Sequence, residues 1–259
     1  MLYYKTKEEI ELIRISSLLV GKTLAEVAKY IKPGVKTIDL DKIADQFIQD
    51  HGAKAAFKGY DGFPNALCIS VNSAVVHGLP NAYELKDGDI ISVDCGVVKN
   101  DFYGDSAYTF SVGNVSPEIQ KLLDVTKESL YEGIRQAVAG KRVGDIGEAV
   151  QNHAERAGFS VVRELVGHGV GRSLHESPEV PNYGKRGKGT LLQSGLVIAI
   201  EPMINMGRKE VLRDKDGWTI KTADNKLSAH FEHTVAIQKE KADVLSTFEY
   251  IEEVLNKSK

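Results

Sequence analysis

One pattern occurs twice in this chain, and it restricts the fold more than any other feature. Gly34-Val35-Lys36-Thr37-Ile38-Asp39 leads into a helical pattern that stops at Gly52, and Gly140-Lys141-Arg142-Val143-Gly144-Asp145 leads into one that stops at Gly158. The Gly–Asp–Gly intervals are the same. Further on, Gly88-Asp89-Ile90-Ile91-Ser92-Val93-Asp94 parallels Gly195-Leu196-Val197-Ile198-Ala199-Ile200-Glu201 at a nearly constant offset. An acidic residue ends the strand in both copies. A single match between Gly-to-Asp turns arises by chance, but two in the same order point to duplicated halves with a site on their shared axis. Two copies are too few for a solenoid. The chain reads as one α+β domain over residues 1–259, with halves of about 1–115 and 116–250.

Local signals fill in the halves. Thr6-Lys7-Glu8-Glu9 has the form of a capping box and opens a helix to about Ile31, stopped by Pro33-Gly34. A second helix runs from about Ile38 to His51. Apolar runs at 67–76, 90–98 and 102–112 predict strands. Ser116-Pro117-Glu118 opens a third helix to about Ala139, and Asp145 caps a fourth that ends at Gly158. Strands return at 160–166, 196–201 and 231–238. Residues 185–193 and 207–227 read as polar loops, and a short helix follows from Glu249.

Asp94 and Asp105 carry the sharpest chemical signal. With Lys99 and Asn100 as the central turn residues, the count outward sets 94 opposite 105. Opposed side chains in a hairpin have Cβ atoms roughly 5 Å apart, and like charges there are destabilising. A bound cation is the simplest explanation; a bulge or shifted register that turns one of them to solvent stays open. Four residues stand beside them: His77 closing a strand run, His168 in Gly167-His168-Gly169, Glu201 before Pro202, and Glu232 in Phe231-Glu232-His233. Each alone reads equally as a turn histidine or a solvated strand end. Together they place acidic groups on apolar strands, where an unpaired buried charge costs several kcal/mol. Two divalent cations neutralise four carboxylates, and an oxygen-rich set with one imidazole suits Mn, Fe, Co or Zn.

Other classes find no support. Net charge is −3, so no basic field exists to hold nucleic acid or an anionic membrane. Cys68 and Cys95 lack CxxC spacing, which argues against a structural zinc site and for a reducing compartment. No secretory signal opens the chain, and no apolar run approaches the roughly 20 residues of a membrane span. A soluble, cytoplasmic protein is expected. P-loop, GxGxxG and GxSxG motifs are missing.

The order Asp94, Asp105, His168, Glu201, Glu232, with His77 and His175 between, resembles the type I, bacterial-type methionine aminopeptidases. The strings Val76-His77-Gly78-Leu79-Pro80, Leu174-His175-Glu176, Ile200-Glu201-Pro202-Met203 and Phe231-Glu232-His233-Thr234 agree, and the resemblance runs from about Thr6 to Gln238. It implies the pita-bread (creatinase/aminopeptidase) fold, two pseudo-symmetric αβ halves around a curved antiparallel sheet. It implies removal of the initiator methionine from nascent chains and peptides with a small second residue, by two divalent metal ions (Co, Mn, Fe or Zn). Asp94 and Asp105 would hold one ion; Asp105, His168, Glu201 and Glu232 the other. Glu201 would shuttle the proton, His175 would bond the scissile carbonyl and His77 would contact the leaving nitrogen. Carried over by position, the methionine pocket is Phe57, Tyr60, Phe63, Cys68, His77, Leu174 and Trp218. Phe57, Phe63 and Leu174 stand where relatives often have Cys, Tyr and Phe. Asn72 and Ser228 match positions around a monovalent cation (Na or K). A monomer is the default, and transient contact with the ribosome is a family-level expectation.

Two alternatives belong to other classes. A proline-specific pita-bread peptidase (Xaa-Pro aminopeptidase-like) would carry a large extra N-terminal domain, whereas the first helix here begins near residue 6. A non-catalytic pita-bread binding protein would have lost metal ligands, whereas all five are kept.

Overall fold

The computed structural model describes residues 1–257. Five α-helices lie among the described residues: α1 Lys7–Ala28, α2 Thr37–Asp50, α3 Pro117–Ile134, α4 Val143–Arg156 and α5 Glu249–Lys257. Thr6 accepts the Glu9 amide while the Glu9 carboxylate takes the Thr6 amide, so the predicted capping box starts α1. Ser116 caps α3 through the Ile119 amide, with Pro117 in its first turn. This helix stops earlier than expected: the Gln136 and Ala137 amides bond the carbonyls of Gly133 and Ile134, three residues back, and Ala139 turns away to Gln238. In α4, Asp145 sits a turn inside the helix and accepts the Arg142 amide, so it is not the cap residue itself.

The duplication is visible in the backbone. α2 and α4 are each 14 residues long, and each follows a left-handed glycine, Gly34 at φ 87° and Gly140 at φ 93°. Gly88 and Gly195, which open the matching strands, have φ 89° and 91°. These values are readily reached only without a Cβ. The copies differ at their acidic residues. Asp94 lies inside the strand Ile90–Lys99, while Glu201 lies just past the end of Val197–Ile200.

The strands form antiparallel sheets in two similar halves, with α1 packed on Ile90–Lys99 and Phe102–Ser111 and α3 on Ser228–His230, in keeping with the pita-bread expectation. In the first half, Ile90–Lys99 lies between Leu67–Val71 and Phe102–Ser111. In the second, Val197–Ile200 lies between His233–Ala236 and Gly167–Gly169, with Glu176–Val180 outside. The predicted strand at 67–76 breaks at Asn72, whose φ is 55°. The strand begun at Ser160 ends at Val161. The segment 207–227 is more than a loop: Val211–Arg213 and Ile220–Thr222 pair as a hairpin, which joins Ala74–Val76. No described helix is long and apolar enough to cross a membrane.

The register of the central hairpin differs from the sequence count. Lys99 pairs with Phe102, so Asn100 and Asp101 are the central turn residues, both left-handed at φ 52° and 60°. That geometry suits a two-residue hairpin turn, and Asn and Asp tolerate it better than Lys. Asp94 therefore faces Ala107, and Asp105 faces Gly96. The aspartates are diagonal neighbours rather than opposed ones. Positions 105 and 107 share a face, so both carboxylates still project to the same side.

α1 crosses this hairpin in backbone contact. A Cβ built on Gly104 would lie 2.3 Å from the Ser17 amide nitrogen. The buried Ser16 hydroxyl donates to the Phe102 carbonyl at 2.9 Å. Gly104→Ala must push α1 away or displace Asp105 beside it. The expected loss is about 3 kcal/mol of unfolding free energy, read from denaturant midpoints; a loss within 0.5 kcal/mol (about the scatter of neutral surface changes) would contradict this packing.

Candidate metal centre

The two halves are stitched together at the strand that carries Asp105. Thr234 Oγ1 donates to the Asp105 carbonyl at 2.8 Å and accepts its amide at 3.3 Å. Ser106 Oγ donates to the Glu232 carbonyl, and the Glu232 amide reaches the Ala107 carbonyl. Thr109 Oγ1 donates to the His230 carbonyl. Three hydroxyls thus clamp the Glu232 segment against Asp105. Ser106, Thr109 and His230 were not singled out in the sequence; hydroxyls spaced along an apolar strand were the available signal.

Asp94, Asp105, His168, Glu201 and Glu232 meet at the floor of one cavity of about 560 Å³. Ligand atoms of Asp105, His168 and Glu232 lie within 4.8 Å of one another. His168 Nε2 is 3.8 Å from Asp105 Oδ2 and 3.6 Å from Glu201 Oε1. Asp94 joins the group from the neighbouring strand, lining the same cavity opposite Ala107, two residues from Asp105. His168 Nδ1 lies 2.9 Å from the Gly169 carbonyl. Donating there, Nδ1 carries the proton and leaves the Nε2 lone pair facing the carboxylates, the tautomer a metal ligand needs.

The electrostatics suit a bound cation. Burial raises the Asp94 carboxyl to about 7. Burial and then mutual repulsion push Asp105, Glu201 and Glu232 well above the ordinary carboxylate range. Burial pushes His168 down to about 3, so it offers no compensating charge. Asp94 Oδ1, Asp105 Oδ1 and Glu232 Oε1 are buried without a hydrogen-bond partner. Buried oxygens of this kind normally have partners. Hard anionic oxygens with one imidazole make a donor set that fits divalent Mn, Fe, Co or Zn.

Above the carboxylates the cavity is apolar on one side. Phe57, Phe63, Cys68 and Leu174 are buried together, with Trp218 packed edge-on against Phe63 at 5.2 Å between ring centroids. Trp218 comes from the connection of the hairpin missed in the sequence. Cys68 pairs directly with Asp94, so the slot adjoins the carboxylates. Burial pushes its thiol up, which makes it an apolar wall rather than a nucleophile. Tyr60 hydroxyl lies 2.8 Å from His175 Nδ1, and His175 stands edge-on to His168 with centroids 4.3 Å apart. His77, held at φ 56°, opens onto the cavity, and burial lowers it to about 4. Asp61, Glu176 and Glu179, not singled out in the sequence, also line it.

Asn72 and Ser228 meet elsewhere. The Ser228 amide donates to the Asn72 carbonyl at 2.9 Å, and neither residue lines the cavity. The Asn72 side chain is taken by Asp89 and the Ile90 amide.

Comparison with known proteins agrees with this arrangement. The family described as metallopeptidase family M24 matches residues 11–239. A methionine aminopeptidase of Clostridium perfringens is 51% identical over 246 residues, covering 95% of this chain and 99% of that protein. Methionine aminopeptidase 1 of Bacillus subtilis is 49% identical, with the same coverage. The crystal structure of a methionine aminopeptidase from Thermotoga maritima superposes with a TM-score of 0.94 at 43% identity, covering 95% of this chain and all of that one. A prolidase from Pyrococcus furiosus shares the fold, with a TM-score of 0.79 at 24% identity, and only 66% of that chain is covered. By sequence and by fold, the chain belongs to metallopeptidase family M24, among its type I methionine aminopeptidases.

Proposed function

We propose that this protein is a metal-dependent aminopeptidase that removes the N-terminal methionine from chains and peptides with a small second residue. The observation that carries the reading is the junction of an apolar, sulfur- and aromatic-lined slot with a floor of four carboxylates, two buried and two half-buried, and one imidazole. A methionine side chain fits the slot, where thioether–aromatic contacts with Phe57, Phe63 and Trp218 are favourable. Phe57 and Phe63 stand where relatives often have Cys and Tyr, and Leu174 where Phe is common, so the slot stays apolar.

Asp94, Asp105 and Glu232 would hold one divalent ion, and Asp105, His168, Glu201 and Glu232 a second. When bound, such a pair supplies Lewis-acid polarisation of the scissile carbonyl and acidifies the attacking water. The protein's own groups do the rest. Glu201, whose carboxyl is raised by burial, takes a proton from the attacking water and returns it to the leaving nitrogen. Tyr60, donating to His175 Nδ1, leaves the His175 proton on Nε2, where it can bond the developing oxyanion. His77, kept neutral by burial, contacts the leaving amide. Asn72 and Ser228 would lie around a monovalent cation, away from the reacting centre.

The test is turnover of Met-Ala-Ser against Ala-Pro-Ala after reconstitution with Co, Mn or Fe. Cleavage of the first alone is expected. Cleavage of the second alone would replace this reading with a proline-specific one, and cleavage of neither with a binding role.

A further inference from the structure

Glu201 is flanked by two imidazoles, one for each carboxylate oxygen. His168 Nε2 faces Oε1 at 3.6 Å, and His230 Nε2 faces Oε2 at 3.8 Å. The two histidines differ in their surroundings. His168 opens onto the cavity and its Nδ1 is engaged by Gly169. His230 is 1% exposed, does not line the cavity, and has no hydrogen-bond partner on either ring nitrogen.

A fully buried imidazole with two unpaired nitrogens is costly, and such groups normally find partners. This ring has little freedom to seek another. Thr109 Oγ1 donates to the His230 carbonyl at 2.7 Å and accepts its amide at 2.9 Å. The strand pairs His230 with Met203, two residues past Glu201. The main chain of Glu201 is also fixed, since Asn182 Nδ2 donates to its carbonyl at 2.9 Å. With both backbones held, only side-chain torsions remain to bring the ring and Oε2 from 3.8 Å to the ordinary hydrogen-bond length of about 2.9 Å.

We propose that His230 is a positioning residue for Glu201, donating Nε2–H to Oε2 and aiming the carboxylate at the cavity. The ring touches neither substrate nor the reacting atoms; it acts only through Glu201. Outer partners of this kind orient ligating carboxylates, and losing one typically weakens metal affinity 10- to 100-fold. The proposal rests on the aminopeptidase reading and deepens it.

Three variants test it: His230→Leu removes the donor, His230→Gln keeps an N–H at similar reach, and His230→Asn is too short to reach Oε2. The parent must first cleave Met-Ala-Ser; if it does not, the aminopeptidase reading fails, and calorimetric titration of Mn still tests the contact. His230→Leu and His230→Asn are expected to lower kcat about tenfold and weaken Mn binding about tenfold or more, with KM for Met-Ala-Ser within about twofold. His230→Gln is expected to restore both to within about threefold of the parent. If His230→Leu does not fold, the Gln and Asn pair decides. Folded Leu or Asn variants with parental kcat and Mn affinity would overturn the proposal, as would a folded Gln variant no better than Asn.

Discussion

Glu201→Gln lowers turnover of Met-Ala-Ser by roughly 10³-fold or more, with the protein still folded. Two losses combine in that number. Gln cannot carry a proton between the attacking water and the leaving nitrogen, and positioned proton transfer alone is worth roughly 10²–10⁴-fold. It also replaces an anionic oxygen with an amide in a set where four carboxylates balance the charge of two cations. The loss should fall on kcat, because Glu201 lies on the carboxylate floor and not in the apolar slot. Single-turnover kinetics at saturating Mn reads this directly. A variant within tenfold of the parent would remove Glu201 from the proton path.

The second large effect is on stability, and it needs no substrate. In the chelated protein, Asp94 sits near 7 against an ordinary 3.8, and its three carboxylate neighbours are also raised. A carboxyl raised in the folded state favours folding at low pH, and that stability is lost as pH rises through the folded value. The buried histidines act in the opposite sense. His77, His168, His230 and His233 are pushed down to between about 3 and about 4 from 6.5. They add stability as pH rises, but that gain is complete once the unfolded chain's histidines are neutral, above about 6.5. From there to about pH 8, below the range in which unfolded thiols ionise, the carboxylates dominate. The chelated protein should lose about 1.4 kcal/mol per pH unit for each proton released, and saturating Mn should abolish the loss. Denaturant midpoints from about pH 6.5 to about pH 8, with and without Mn, measure it. A flat or rising profile for the chelated protein would show that the carboxylates ionise there without strain.

Much of this was readable in the residues, for identifiable reasons. The Thr6 and Ser116 caps are local chemistry, and the left-handed glycines of the repeat leave their mark in sequence because other residues rarely adopt that backbone. That the acidic residues gather at one cavity was readable because carboxylates on apolar strands are anomalous. The register of the central hairpin was not. Lys99-Asn100 and Asn100-Asp101 are both polar pairs, and only the backbone of the turn separates them. A slip of one turn position moved Asp94 from opposite Asp105 to opposite Ala107, yet kept both aspartates on one face. The hairpin of 211–213 and 220–222 was hidden because its strands are short and partly exposed. His230 was hidden for another reason: its importance lies in a partner 29 residues away in the chain that only folding brings near.

The central claim is that this cavity works through divalent cations held by Asp94, Asp105, His168, Glu201 and Glu232. It is tested most directly by turnover of Met-Ala-Ser as Mn is titrated into the thoroughly chelated protein. The expected result is no turnover at the start, a rise with added Mn, and a return to zero on renewed chelation. Turnover that survives chelation would contradict the claim.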